Sequence, residues 1–192
     1  MKKLVGIGLA VAISFGALSG CSLLGEKANG LVLYGTEDQV QQIADKNKKD
    51  VKEKDVYKMK VATLEDKKVL VMDKKTGEEL IKKELLKKVE KNDETKAIDK
   101  LPTVTPEQGV LFAKDKVENA TLDGTNLKYE GNTIIGDGRR YVDMYAIVDD
   151  ATYKKITGEE KSVGILKFDK DPSKELPGKN GVEASQLVKM KK

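Results

Sequence analysis

GLVLYGTEDQVQQIADK, residues 30–46, sets the pattern of the whole chain. Leu31 to Tyr34 is a short apolar run closed by Gly30 and Gly35, the mark of a buried strand. Thr36 then stands where a helix cap belongs. Gln39 completes a capping box with it, and Glu37 and Asp38 suit the positive end of a helix dipole. Val40, Ile43 and Ala44 fall on one helical face, and Lys46, Lys48 and Lys49 favour the negative end.

Outward from this unit, residues 50–55 are polar and charged and read as a loop. From Val56 to Ala62, Tyr57, Met59 and Val61 alternate with lysines, giving a half-exposed strand. Lys68 to Met72 is a further strand. Thr76 with Glu79 repeats the capping box ahead of a longer helix, with Ile81, Leu85, Leu86 and Val89 as its buried stripe. Glu78 with Lys82, Glu79 with Lys83, and Glu84 with Lys88 lie four apart in the favourable orientation. The second half reads as strands at 110–113, 127–129, 133–135 and 140–148, the last two joined by a type I′ hairpin turn at Asp137-Gly138. Along 140–148, Val142, Met144, Ala146 and Val148 form the expected core face. Asp149 or Asp150 caps a short helix through Ile156, Val163 to Phe168 is a strand, and Gln186 to Met190 adds an edge strand. These elements predict an α+β fold: a single mixed or mainly antiparallel sheet with two main helices and one short helix.

The N-terminus reads as an address. Lys2 and Lys3 precede an apolar stretch from Leu4 to Leu18, shorter than the roughly 20 residues a transmembrane helix needs and interrupted by Gly6, Gly8 and Gly16. Leu18-Ser19-Gly20-Cys21 ends it and resembles the lipobox of bacterial lipoproteins. The resemblance implies diacylglyceryl attachment to the Cys21 sulfur, cleavage between Gly20 and Cys21, and residence on the extracytoplasmic face of the cell membrane. Two acyl chains make such an anchor stable where one gives only marginal attachment. The expected organisation is a signal peptide over 1–20, a lipidated tether over 21–30 and a single extracytoplasmic domain over 31–192. The polar, proline-containing stretch 91–109 is its best internal boundary, and the tail 169–192 lacks clear periodicity.

Composition narrows the chemistry. The formal charge of +4 falls to +2 once Lys2 and Lys3 are removed, and lysines and acids are interleaved, which argues against a nucleic-acid partner. Lysine greatly exceeds arginine, which fits an AT-rich genome and, with the lipobox, a Gram-positive envelope. There is no histidine, and Cys21 is the single cysteine. Most zinc and thiol chemistry is thereby removed, and an internal disulfide is impossible. No cofactor and no metal site is implied. Ser22, Ser162, Ser173 and Ser185 lie outside any Gly-x-Ser-x-Gly elbow, although a Ser-Lys pair remains open by sequence. Asp149 and Asp150 could act as paired carboxylates, but helix capping accounts for one of them. Asp169, Asp171 and Ser173 imitate the start of a calcium loop, which Lys174 and Asn180 then break at the sixth and twelfth positions. Arg139 and Arg140, the two arginines of the chain, would emerge from the hairpin as a candidate anion or partner contact, against the plainer account of two solvated residues.

Residues 141–168, with a long strand, Asp-Asp, a Tyr-Lys-Lys-Ile helix and a Val-Gly-Ile-Leu strand, resemble a segment in extracellular domains of FtsX-like ABC-transporter permeases. The chain as a whole is similar to small uncharacterised lipoproteins of Gram-positive bacteria. The reading favours a membrane-anchored binding or accessory protein without catalytic activity, whose partner is an envelope protein such as an ABC permease. The alternatives are an envelope enzyme using carboxylates or a Ser-Lys pair, and a small solute-binding receptor.

Overall fold

The computed structural model describes residues 27–177 and 181–191. Leu18, Ser19, Gly20 and Cys21, with the whole export signal, lie outside the described residues.

The opening unit forms as its sequence dictates. Strand β1 (Gly30–Gly35) is buried along its length. Helix α1 (Glu37–Lys46) is closed by the Thr36–Gln39 capping box, with both reciprocal hydrogen bonds present. Next come β2 (Val51–Leu64), β3 (Lys67–Asp73) and helix α2 (Lys74–Lys82). Strands β4 (Leu86–Val89), β5 (Thr95–Ala97), β6 (Gln108–Ala113), β7 (Ala120–Leu122), β8 (Thr125–Tyr129), β9 (Thr133–Ile135) and β10 (Met144–Val148) lead to helix α3 (Asp150–Lys155). Strands β11 (Glu159–Phe168) and β12 (Ala184–Val188) complete the described chain.

A single sheet is not what these strands build. Among the described residues they form a nine-stranded sheet, in the order β12, β1, β11, β2, β3, β10, β6, β8, β7, and a separate three-stranded sheet, β5, β4, β9. Strand outweighs helix, so the single-sheet α+β expectation is replaced by a two-sheet, strand-dominated architecture. The large sheet is antiparallel except at β3–β10 and β6–β8, which run parallel. The two sheets part at Asp137-Gly138, where the sequence predicts a hairpin turn. Strand β9 pairs with β4 in the small sheet, whereas β10 lies between β3 and β6 in the large one, so no hairpin joins β9 to β10. The positive φ falls on Gly136, at 68°, and residues 136–143 carry the chain from one sheet to the other.

Three further expectations shift for physical reasons. Helix α2 starts at Lys74 under an Asp73 cap instead of Thr76, because the Asp73 carboxylate accepts from the Thr76 amide at 2.7 Å. It stops at Lys82 because Glu84 takes a left-handed φ of 58°. The Leu85 amide bonds to the Leu80 carbonyl and the Glu84 amide to that of Ile81, a Schellman ending built without glycine. Leu85 and Leu86 therefore leave the helix, and the pairing of Glu84 with Lys88 has no helix to support. Strand β2 begins at Val51 and not Val56: backbone pairing with β11 runs from Val51 opposite Phe168 to Val61 opposite Glu159, so the charged residues 52–55 are extended through a distant partner. Finally, β10 is buried on both faces, with Tyr145 and Ile147 as enclosed as Met144, Ala146 and Val148.

Burial on both faces sorts the core. On one face Val32, Tyr34, Leu70, Met72, Phe112, Tyr145 and Val163 form one continuous cluster with Leu80, Leu85, Leu86 and Ile135 from α2 and the small sheet. The opposite face holds two clusters. One gathers Leu31, Leu33, Leu166 and Phe168 around Val40 and Ala44 of α1. The other gathers Val69, Val71, Leu111 and Met144 with Ile156 after α3. Gly164 in β11 lets α1 approach the sheet, since a Cβ there would run into Val40.

Candidate functional site

Among the described residues, a group of ionisable and hydroxyl side chains forms where the N-terminal end of β11 meets the C-terminal end of β1. Lys161 shares the face of Val163 and Ile165 by strand alternation, and its side chain is only 8% exposed. Its Nζ lies 2.6 Å from carboxylate oxygens of both Glu159 and Glu183. Tyr141 donates to Glu183 at 2.7 Å and stacks on Tyr34 with ring centroids 5.0 Å apart. Gln186 reaches inward from β12 and donates to the Tyr34 hydroxyl at 3.1 Å and the Ile135 carbonyl at 2.9 Å. The hydrogen bonds to Glu159 and Glu183 hold the Lys161 ammonium above the ordinary lysine range. Burial pushes the Glu183 carboxyl up, but hydrogen bonds from Lys161 and Tyr141 outweigh it and leave the group below the usual carboxylate range. Burial also pushes the Tyr145 hydroxyl up to about 12. Each polar side chain named in this cluster has a hydrogen-bond or ion-pair partner. The arrangement clamps β11, the 136–143 connection and β12 together.

The sequence-stated candidates are dispersed. Arg139 and Arg140 lie on the 136–143 connection and not at a hairpin tip. Arg139 is half-buried over the Tyr145 ring and donates to Asn132 at 2.5 Å and to the Thr133 carbonyl at 2.9 Å, while Arg140 is exposed. The two guanidinium groups thus have different surroundings, and Arg139 holds β9 to β10. Asp149 caps α3 through the amides of Ala151 and Thr152, and Asp150 is exposed at the start of that helix. Asp171 accepts from the Ser173 amide and hydroxyl, and Asp169 pairs with Lys52. Among the described residues no group of acids, cysteines or histidines has the geometry of a metal site. Alternation separates the serines from the buried lysine: Lys161 faces the continuous core, whereas Ser162 points to the opposite face, as does Ser185, opposite Leu33.

The surface of the described residues includes two depressions. The larger, of about 420 Å³, lies between α2 and residues 99–104, with Ile81, Leu101, Pro102 and Val104 along its floor and Lys74, Glu78, Lys82 and Asp99 at its rim. The smaller, of about 260 Å³, lies between Tyr57, Tyr153 and the start of α2. Sequence reasoning missed both, and it missed Lys161. The lysine was legible in principle, since its spacing from Val163 and Ile165 turns it inward. The groove was not, because it depends on residues 99–104 crossing α2.

Among the described residues no helix is long and apolar enough to cross a membrane. A family model described as an uncharacterised lipoprotein family matches residues 28–191. The chain is similar to a crystal structure from Bacillus anthracis, described as that of a lipoprotein, with 40% sequence identity, a TM-score of 0.82, and coverage of 85% of this chain and 100% of that one. No curated protein matches.

Proposed function

Because the chain belongs to an uncharacterised family of lipoproteins, we propose that it is exported, anchored through Cys21 to the extracytoplasmic face of the cell membrane, and works there as a non-catalytic binding or accessory protein. The observation that carries this reading is the fate of the reactive groups: Lys161 and Arg139 are held in contacts that join elements of the fold, and Asp149 caps its own helix. One surface open to a partner is the groove between α2 and residues 99–104, with its apolar floor and charged rim. That composition suits a protein segment: apolar side chains at the centre and paired charges at the edge. An envelope protein is the partner this anchoring makes available, and an ABC-type permease is the class to which residues 141–168 have a likeness.

A photo-crosslinking residue at exposed Thr103, introduced into the full chain in intact cells, tests the reading. The expected result is one discrete adduct with an envelope protein, lost in Ile81→Asp while the variant keeps its unfolding transition. Recovery of the free protein alone, or an adduct indifferent to Ile81→Asp, would contradict it.

A further inference from the structure

Charge is distributed unevenly between the two ends of the large sheet. Asn29 lies at the end where the tether joins. Its amide donates to the Val188 carbonyl, its carbonyl accepts from Phe168, and its side chain exchanges two hydrogen bonds with the backbone of Met190. Phe168 in turn pairs with Val51. Four segments therefore converge there: Lys27 to Asn29, KNKKDVK (46–52), DKDPSKE (169–175) and KMK (189–191). Together they carry nine lysines against four acids. Lys46, Lys48, Lys49, Lys170 and Lys174 are exposed, and no ion pair holds them among the described residues. Leu176, a large apolar side chain 40% exposed, follows on the same connection.

The far end has the opposite character. The β2–β3 turn at Glu65-Asp66, the loop 114–119, Asp123 and residues 157–160 lie there, and Asp123 accepts from the Thr157 amide at 2.5 Å. These segments, with Lys67, carry seven acids against three lysines.

We propose that the lysine-rich end docks on the anionic headgroups of the bilayer that holds the lipid anchor, and so orients the domain with its acidic end outward. The inference rests on the Cys21 attachment of the preceding reading. Eight residues lie between Cys21 and Gly30, and the nine residue steps from one to the other reach about 30 Å at most when extended. The tether therefore keeps the lysines close to the membrane, and within a Debye length of about 8 Å they are attracted to anionic lipid. Lysine stems and Leu176 supply apolar contact at the headgroup boundary.

The test uses the mature lipidated protein in vesicles, with a fluorophore on Ser173→Cys at the tether end or on Lys67→Cys at the far end. Headgroup-labelled lipid serves as the quencher. In phosphatidylglycerol vesicles the Ser173 position should be quenched and the Lys67 position spared, with the contrast lost at high salt and in phosphatidylcholine. Lys46→Gln, Lys48→Gln and Lys49→Gln together should lower the docked-to-free ratio by on the order of a hundredfold, at about fivefold for each lysine. Equal quenching in neutral vesicles, or quenching unchanged in the triple variant, overturns the docking while leaving the anchor intact. Protein that fails to float with vesicles at all overturns the anchor, and the docking with it.

Discussion

The two faces of the nine-stranded sheet are built differently. Beneath α2 and the small sheet the apolar residues run on without a break from Val32 to Phe112. On the opposite face the apolar surface divides into a cluster under α1 and another beside α3. Between them β2 presents Lys58 and Lys60, two residues apart and therefore on the same face. Lys58 reaches Glu37 in the first turn of α1, at 3.4 Å. Lys60 donates to the carbonyls of Tyr153 at 3.0 Å and Ile156 at 2.7 Å, supplying the C-terminus of α3 with the cation that helix ends favour. A sheet can thus carry one indivisible core and, on its reverse, two smaller units that meet at a polar seam.

The largest expected effect lies on the continuous face. Phe112 is 1% exposed at its centre, and Phe112→Ala should lower unfolding free energy by about 3–5 kcal/mol in urea titration. Helix α2 and the small sheet should lose protection in hydrogen exchange together. A loss confined to one element would break the description of that face as one unit.

On the divided face the effects should be local. Gly164→Val drives a methyl group into Val40 and should destabilise by about 2–3 kcal/mol, with α1 displaced and α3 unaffected. Adding Val40→Ala should recover part of the loss; strict additivity of the two changes would show that the contact is not the cause. Lys60→Met should cost about 1–2 kcal/mol and raise exchange in α3 alone. Lys58→Ala, which touches only an exposed pair, should change stability by under about 0.5 kcal/mol.

The extent to which the sequence revealed these features follows from how local each determinant is. The capping box at Thr36 and the buried run Leu31 to Tyr34 depend on neighbours within a few residues and form as read, and of the two expected caps for α3, Asp149 or Asp150, Asp149 takes the role. The start of β2 and the separation of β9 from β10 depend on partners far away in the chain, opposite Phe168 and Leu86 respectively. Glu84 ended α2 without the glycine that normally marks such a stop. Asp137-Gly138 carried a strong local turn signal that tertiary pairing overrode. The candidate site divides in the same way: the inward direction of Lys161 follows from period-two alternation, but its two carboxylate partners come from Glu159 beside it and Glu183 across the sheet.

The smallest expected effect concerns pH at the rim of the continuous face. The Glu183 carboxyl lies below its ordinary range in the fold, so its contribution to stability is present above the unfolded carboxylate pKa and is lost as pH falls through the folded one. Lys161→Met removes a hydrogen bond that depresses it. The acid limb of the stability curve should then move to higher pH, while Lys54→Met, an exposed lysine on the other face, should leave it in place. Coincident acid limbs in the wild type and Lys161→Met would mean that the pairing contributes nothing to folding.

On the proposed reading, Cys21 sets the place of work of the domain to which these structural assignments belong. Metabolic labelling with a palmitate analogue, followed by separation of membrane and soluble fractions, tests that most directly. The wild-type chain should carry the label and sediment with the membrane, and Cys21→Ala should lose both. Label and membrane retention undiminished in Cys21→Ala would contradict the account.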